Sequence, residues 1–299
     1  MNNTFKSAVT TVLIFSLMLC LCACPAKPPR MKSLITDVVE IKENTYECNF
    51  KDCTFKFKLY LPEKTDGNTP LILMLPGLGN NIDSFELQTH MNETACPRGY
   101  AVCYVQPRKG NGGWGWDCGL VDPYEVDSLD YFVNLVIYLQ DEYGLSQTKT
   151  FAAGFSNGGF MIHRVAMEAS DTFVAVASVA GIMTTMIWDE RTDKTNIGVL
   201  EIYGTKDNVV PQNGNGTAAA SPYPPIEEVM EYWAQANGLG SSEVVNLSEK
   251  AELTKYSAFL NKTQVWSIKI EDGAHEWPAE EIAGFNTNEL ILDFFDQCS

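Results

Sequence analysis

The chain predicts an α/β fold with one catalytic-sized domain built on a mostly parallel sheet, helices covering both faces. Three observations carry this expectation. Apolar strand-like runs alternate with helix-period runs from Thr54 to the C-terminus. Two of those runs, Leu71–Leu75 and Gly198–Tyr203, give way abruptly to a turn containing glycine. The 299 residues, 45% of them hydrophobic, suffice to bury a large core, and no internal repeat divides them.

In chain order, residues 1–23 carry a single charge, Lys6, followed by an apolar run from Ala8 to Ala23. The run is short for a membrane span and ends in Leu21-Cys22-Ala23-Cys24, so it reads as an export signal. Leucine at minus three and a small residue at minus one relative to Cys24 resemble a bacterial lipobox; ordinary signal cleavage nearby is the alternative. The expected organisation is signal peptide 1–23, linker 24–45 and catalytic domain 46–299, with membrane contact only through a lipid on Cys24.

Cys48 and Cys53 bracket a polar turn between two strand-like runs, which suggests a local disulfide in an exported chain. Cys96, Cys103, Cys118 and Cys298 leave further pairings open. No C-x-x-C pair or cysteine–histidine cluster has metal-ligand spacing, and neither metal nor cofactor is expected.

The core strands are read at Leu71–Leu75, Tyr100–Gln106, Thr148–Ala153, Phe173–Val179, Gly198–Tyr203 and Val265–Ile270. A helix from Pro123 has Asp122 as its cap and Val126, Leu129, Val133, Val136 and Ile137 as its stripe, stopping before Gly144. Further helices are expected over Phe160–Ala169, Glu227–Ala236 and Asn288–Gln297, with an aperiodic loop over Pro211–Pro225.

The formal charge is −17, and loss of residues 1–23 removes only one positive charge. A surface of that sign repels nucleic acid and anionic lipid, so neither is an expected partner and a neutral substrate is expected rather than a polyanionic one, although net charge does not decide the charge of a single pocket.

Chemistry concentrates at Gly154-Phe155-Ser156-Asn157-Gly158, a G-x-S-x-G pattern between a strand and a helix. A serine hydroxyl is a weak nucleophile, so it must stand on a tight turn beside a base, and the flanking glycines remove side chains that would collide there. Its partners should follow other strands at their carboxyl ends. His163 lies seven residues into the helix opened by Ser156 and cannot fold back, and His90 falls in an earlier predicted helix. His275, after the strand Val265–Ile270, is the expected base. Asp207, just past the strand ending at Tyr203, is the expected orienting carboxylate, and the order Ser156, Asp207, His275 is the one α/β-hydrolases use. The oxyanion donors are then the backbone N–H groups of Asn157 and Leu78. Trp114, Trp116 and Trp277 lie on loops near these residues and suit a sugar ring, a ferulate ring or a polyester chain; loop packing is their other reading.

Taken together, Pro76-Gly77, Met91-Asn92, Trp114-Gly115-Trp116, the Ser-Asn-Gly-Gly elbow, Gly-Thr-Lys-Asp-Asn-Val-Val-Pro and Gly-Ala-His-Glu-Trp-Pro resemble secreted α/β-hydrolases. That branch holds polyhydroxybutyrate depolymerases, feruloyl esterases and acetylxylan esterases. The resemblance runs from about Leu59 to the C-terminus and implies a triad of Ser156, Asp207 and His275. It departs at Pro76, where the early loop of the family usually reads His-Gly. The implied function is an exported serine carboxylesterase for feruloyl or acetyl esters of plant polysaccharide, a polymeric or aromatic substrate. The alternatives are a polyhydroxyalkanoate depolymerase, a prolyl-oligopeptidase-like peptidase, and a non-catalytic binding protein on a hydrolase fold.

Overall fold

The computed structural model describes residues 31–110, 113–119, 125–214, 223–259 and 261–299. The signal peptide 1–23 and Cys24 lie outside them. One compact unit, Lys32–Ser299, holds the elements below.

The strands are β1 (Thr36–Lys42), β2 (Thr45–Phe50), β3 (Cys53–Tyr60), β4 (Leu71–Leu75), β5 (Ala101–Val105), β6 (Arg108–Gly110), β7 (Gly113–Gly115), β8 (Thr150–Phe155), β9 (Ala175–Val179), β10 (Gly198–Gly204), β11 (Ser241–Asn246), β12 (Ala251–Ala258) and β13 (Asn261–Ile270). The helices are α1 (Ile82–Thr89), α2 (Met91–Ala95), α3 (Ser128–Tyr143), α4 (Asn157–Glu168), α5 (Thr185–Asp189), α6 (Ile226–Ala236), α7 (Glu280–Ala283) and α8 (Thr287–Cys298).

Eleven strands form one sheet in the order β1-β2-β3-β5-β4-β8-β9-β10-β13-β12-β11. The stretch from β5 to β13 is parallel, and the flanks β1-β2-β3 and β12-β11 are antiparallel additions. The parallel members are the strands expected from the sequence. All five residues of β4 and all six of β8 are buried, because helices cover both of their faces. Alternation then divides each strand between two cores: Leu71, Leu73 and Leu75 join the layer of α3, α4 and α6, whereas Ile72 and Met74 join that of α1, α2 and α8.

Three expectations change. Helix α3 begins at Ser128, not Pro123: Asp127 is extended and its carboxylate accepts the N–H groups of Leu129 and Asp130, while Asp122 and Pro123 lie outside the described residues. Residues 36–42, inside the expected linker, form β1 and pair with β2. The local disulfide is absent. Cys48 sits opposite Phe55 and Cys53 opposite Phe50, so the two cysteines are diagonal across the hairpin rather than facing, and both are free thiols. Cys48 is buried, with its sulfur 3.7 Å from the Tyr131 hydroxyl, and burial pushes its thiol up to about 11.

Candidate active site

Ser156 occupies the single residue between β8 and α4, with φ 52° and ψ −119°. This conformation is uncommon for a residue with a Cβ, and it persists only where its surroundings fix it. Here the Ser156 N–H donates to the Val179 carbonyl at 2.9 Å, and its own carbonyl accepts the first helical bond from Phe160. Gly158 lets the helix close onto β4, since a Cβ there would stand 2.0 Å from the Leu75 carbonyl oxygen.

The partners are delivered by β10 and β13. The loops that follow these neighbouring strands clasp one another: Thr205 N–H donates to the Ile270 carbonyl and Lys206 N–H to that of Gly273. Gly204 permits this approach, because a Cβ on it would lie 2.2 Å from the Gly273 oxygen. The clasp sets Asp207 beside His275.

The result is a continuous hydrogen-bonded chain. His275 Nε2 lies 2.9 Å from Ser156 Oγ, and Nδ1 lies 2.7 Å from Asp207 Oδ2. A carboxylate accepts, so Nδ1 carries the proton and Nε2 is left to accept from the serine hydroxyl. The other carboxylate oxygen of Asp207 accepts from the Val209 and Val210 N–H groups at 2.8 and 2.7 Å, which fixes its orientation. The Asp207 side chain is 1% exposed and that of His275 is 18% exposed. An imidazole that is both fixed and reachable can take a proton from Ser156 Oγ as it attacks a carbonyl.

Pro76–Gly79 lines the other side of the serine. A Cβ on Gly77 would be 3.3 Å from Ser156 Cβ, so only a glycine leaves clear space between the loop and the nucleophile's side chain. Gly79 N–H donates to the Trp114 carbonyl and Asn80 N–H to that of Gly77, while no such bond among the described residues takes up the Leu78 N–H. Asn157, at the first turn of α4, is buried.

The expected aromatic rim is corrected at two positions. Trp116 is 1% exposed: its Nε1–H donates to the Pro76 carbonyl at 2.8 Å, its backbone N–H donates to Asn157 Oδ1 at 2.8 Å, and its ring packs edge-on to Phe132. It is a strut between the two segments expected to supply oxyanion donors. Trp277 is 9% exposed, donating to Asn288 Oδ1 and packed edge-on to Phe85. Only Trp114 of the three presents its ring, at 38% exposure, from the short hairpin of β6 and β7. Sequence reasoning missed the Trp116 bridge, whose partners lie 40 and 41 residues away with no local signal. It also passed over Arg108, although that residue follows a core strand at the carboxyl edge of the sheet.

The other histidines serve elsewhere. His163 is fully buried in α4, with Nε2 3.1 Å from Glu201 Oε2 and Nδ1 accepting from Trp233 Nε1–H; burial lowers it to about 3. His90 sits between α1 and α2 in a left-handed conformation, beside Glu93.

Comparison with known proteins agrees with this layout. A model of the prolyl oligopeptidase family matches residues 85–238, just over half of the chain. Among curated proteins, "Putative esterase NocK" of Nocardia uniformis subsp. tsuyamanensis is 29% identical over 70% of this chain and 65% of its own length. The bifunctional acetylxylan esterase/xylanase XynS20E of Neocallimastix patriciarum is 24% identical over 51% of this chain and 21% of that protein. The chain therefore spans less than two thirds of the length of either relative. Among solved structures, the acetyl xylan esterase from Aspergillus awamori superposes with a TM-score of 0.60 at 14% identity, covering 81% of this chain and 94% of that one. With the matched model covering just over half of its length, the elbow and Asp207 included, the chain belongs to the prolyl oligopeptidase family of serine hydrolases and has the α/β-hydrolase fold.

Proposed function

We propose that the protein is an exported serine carboxylesterase acting on acyl groups, feruloyl or acetyl, carried by plant polysaccharide. The observation that carries this reading is the unbroken chain from Ser156 Oγ through His275 to Asp207, at 2.9 and 2.7 Å. In this mechanism Ser156 Oγ attacks the ester carbonyl while His275 Nε2 takes its proton, and Asp207 holds the imidazole by Nδ1–H. The N–H groups of Asn157 and Leu78 receive the developing oxyanion. His275 returns the proton to the departing alcohol, and water, activated by the same nitrogen, hydrolyses the acyl-enzyme. The substrate class draws support from the relatives, whose names include an acetylxylan esterase and the feruloyl esterase B of Thermothelomyces thermophilus.

The test is turnover of methyl ferulate, acetylated xylan and p-nitrophenyl acetate by the wild type. Ser156→Ala is expected to fold and to lose about four orders of magnitude or more in activity, and Asp207→Asn about 10⁴ in kcat. Wild-type turnover by Ser156→Ala would falsify the assignment. The family match favours one second reading, cleavage of peptide bonds by the same residues. Hydrolysis of acylated dipeptide anilides in preference to every ester would establish it.

Export rests on the apolar run Ala8–Ala23 and the lipobox spacing of Leu21 and Cys24. Intact-mass analysis of protein from its native host is expected to find residues 1–23 missing and a diacyl mass on what remains. A chain that retains residues 1–23 contradicts export, and an unmodified chain starting beyond Cys24 contradicts the anchor.

A further inference from the structure

Beside the Pro76–Gly79 loop lies a cavity of about 610 Å³ that none of Ser156, Asp207 and His275 lines. Its walls come from β1, β2 and β3, the start of α1, and the β6–β7 hairpin. Two connections tie it to Ser156. Asn81 and Ile82 on its wall continue the loop whose Gly77 runs close to Ser156, and Trp114, itself a lining residue, accepts the Gly79 N–H with its carbonyl.

The charge of this cavity runs against that of the molecule. In a chain of net charge −17, four cations line it among the described residues, Lys42, Lys56, Arg108 and Lys109, against two carboxylates, Glu47 and Asp83. Both carboxylates are already engaged: Glu47 pairs with Lys56 at 3.2 Å and Asp83 with Lys58 at 2.5 Å. Lys42, Arg108 and Lys109 make no ion pair among the described residues. Arg108 is the pivotal group. Its guanidinium lies over the Phe55 ring at 5.1 Å, Nη2 donates to Cys53 Sγ at 3.5 Å, and Nη1 is buried with no hydrogen-bond partner among the described residues. A buried donor on a permanent cation is costly to leave unmade, and a carboxylate is the partner that fits its planar fork.

We infer that this cavity is a subsite for a carboxylate-bearing sugar, a uronate of the glycan that carries the ester. Trp114 gives the sugar ring an apolar face, while Arg108, with Lys42 and Lys109 at the rim, receives its carboxylate. The placement of the subsite next to the acyl site rests on the esterase reading; the affinity for an acidic glycan does not.

Binding separates the two. Titration of the full chain at low ionic strength, followed by calorimetry, is expected to give trigalacturonate an affinity at least tenfold above that of neutral xylotriose. Arg108→Gln is expected to remove about tenfold or more of that preference, and 0.5 M NaCl most of the remainder. Since Arg108 is partly buried, Lys109→Gln, at an exposed position, provides a second variant with a smaller loss of the same sign. Equal affinity for the two trisaccharides, or a preference for trigalacturonate that survives both substitutions, would overturn the subsite. Absence of ester turnover by a protein that still prefers trigalacturonate would instead overturn the esterase reading and leave the subsite standing.

Discussion

At residue scale, Trp116 ties the Pro76 loop to the elbow. Pro76 has no N–H, yet its carbonyl is held by the Trp116 indole at 2.8 Å, and the backbone of the same tryptophan holds the Asn157 side chain. One buried residue thus links the loop that carries Leu78 to Asn157, the two residues proposed as oxyanion donors. A single neutral hydrogen bond contributes about 0.5–1.5 kcal/mol, which corresponds to an effect of about two- to tenfold, the upper end applying when it positions a reacting group. Trp116→Phe keeps most of the packing against Phe132 and removes the donor. It is expected to lower kcat about tenfold with KM nearly unchanged, and to do so equally for p-nitrophenyl acetate and methyl ferulate. A loss confined to methyl ferulate would restore Trp116 to the substrate rim.

At element scale, the junction of β8 with α4 is set by what surrounds it more than by its own propensity. Gly158 faces the Leu75 carbonyl at the end of β4, where a Cβ would sit at 2.0 Å from a backbone atom that has no rotamer to yield. Gly158→Ala must therefore push α4 away from the sheet. The expected cost is about 1–3 kcal/mol of stability, read from denaturant unfolding, and at least 10² in kcat because Ser156 moves with the helix. Stability equal to the wild type would show that the junction relaxes freely. This element was legible in the sequence because its glycines and its serine lie within five residues, and the parallel strands were legible as apolar runs because both their faces are buried. Other features depend on partners remote in the chain. The burial of Trp116 is decided by Pro76 and Asn157, and the start of α3 by Asp127, where Asp122-Pro123 offers an equally good local signal. The flanking strands β11 and β1 are too polar to stand out, every residue of β11 being exposed.

At the scale of the whole molecule, the stability curve against pH depends on two buried groups behind the elbow. Glu201 on β10 and His163 on α4 are both fully enclosed, with side-chain exposures of 1% and 0%, and face each other at 3.1 Å. Trp233 donates to His163 Nδ1, so the neutral ring carries its proton on Nε2 and donates it to Glu201. Burial, reinforced by the charge of Asp207, holds Glu201 well above its usual 4.5, and burial lowers His163 from 6.5 to about 3. The two act in opposite directions. His163 contributes stability that is fully present above 6.5 and is lost as pH falls toward 3, because the unfolded chain then takes up the proton the folded one refuses. Glu201 contributes stability that is fully present below 4.5 and is lost as pH rises, because the unfolded chain releases a proton the folded one keeps. Between 4.5 and 6.5 the slopes oppose each other, so the contribution of Glu201 is isolated only above pH 7. There Glu201→Gln, which keeps the shape and the acceptor but cannot ionise, removes a slope of up to about 1.4 kcal/mol per pH unit. Thermal unfolding at pH 7.0, 8.0 and 9.0 is therefore expected to show the variant gaining on the wild type for as long as burial keeps Glu201 protonated in the folded protein. A difference in Tm that stays constant over that range would mean that Glu201 is already ionised in the folded protein, as the partner of a charged His163.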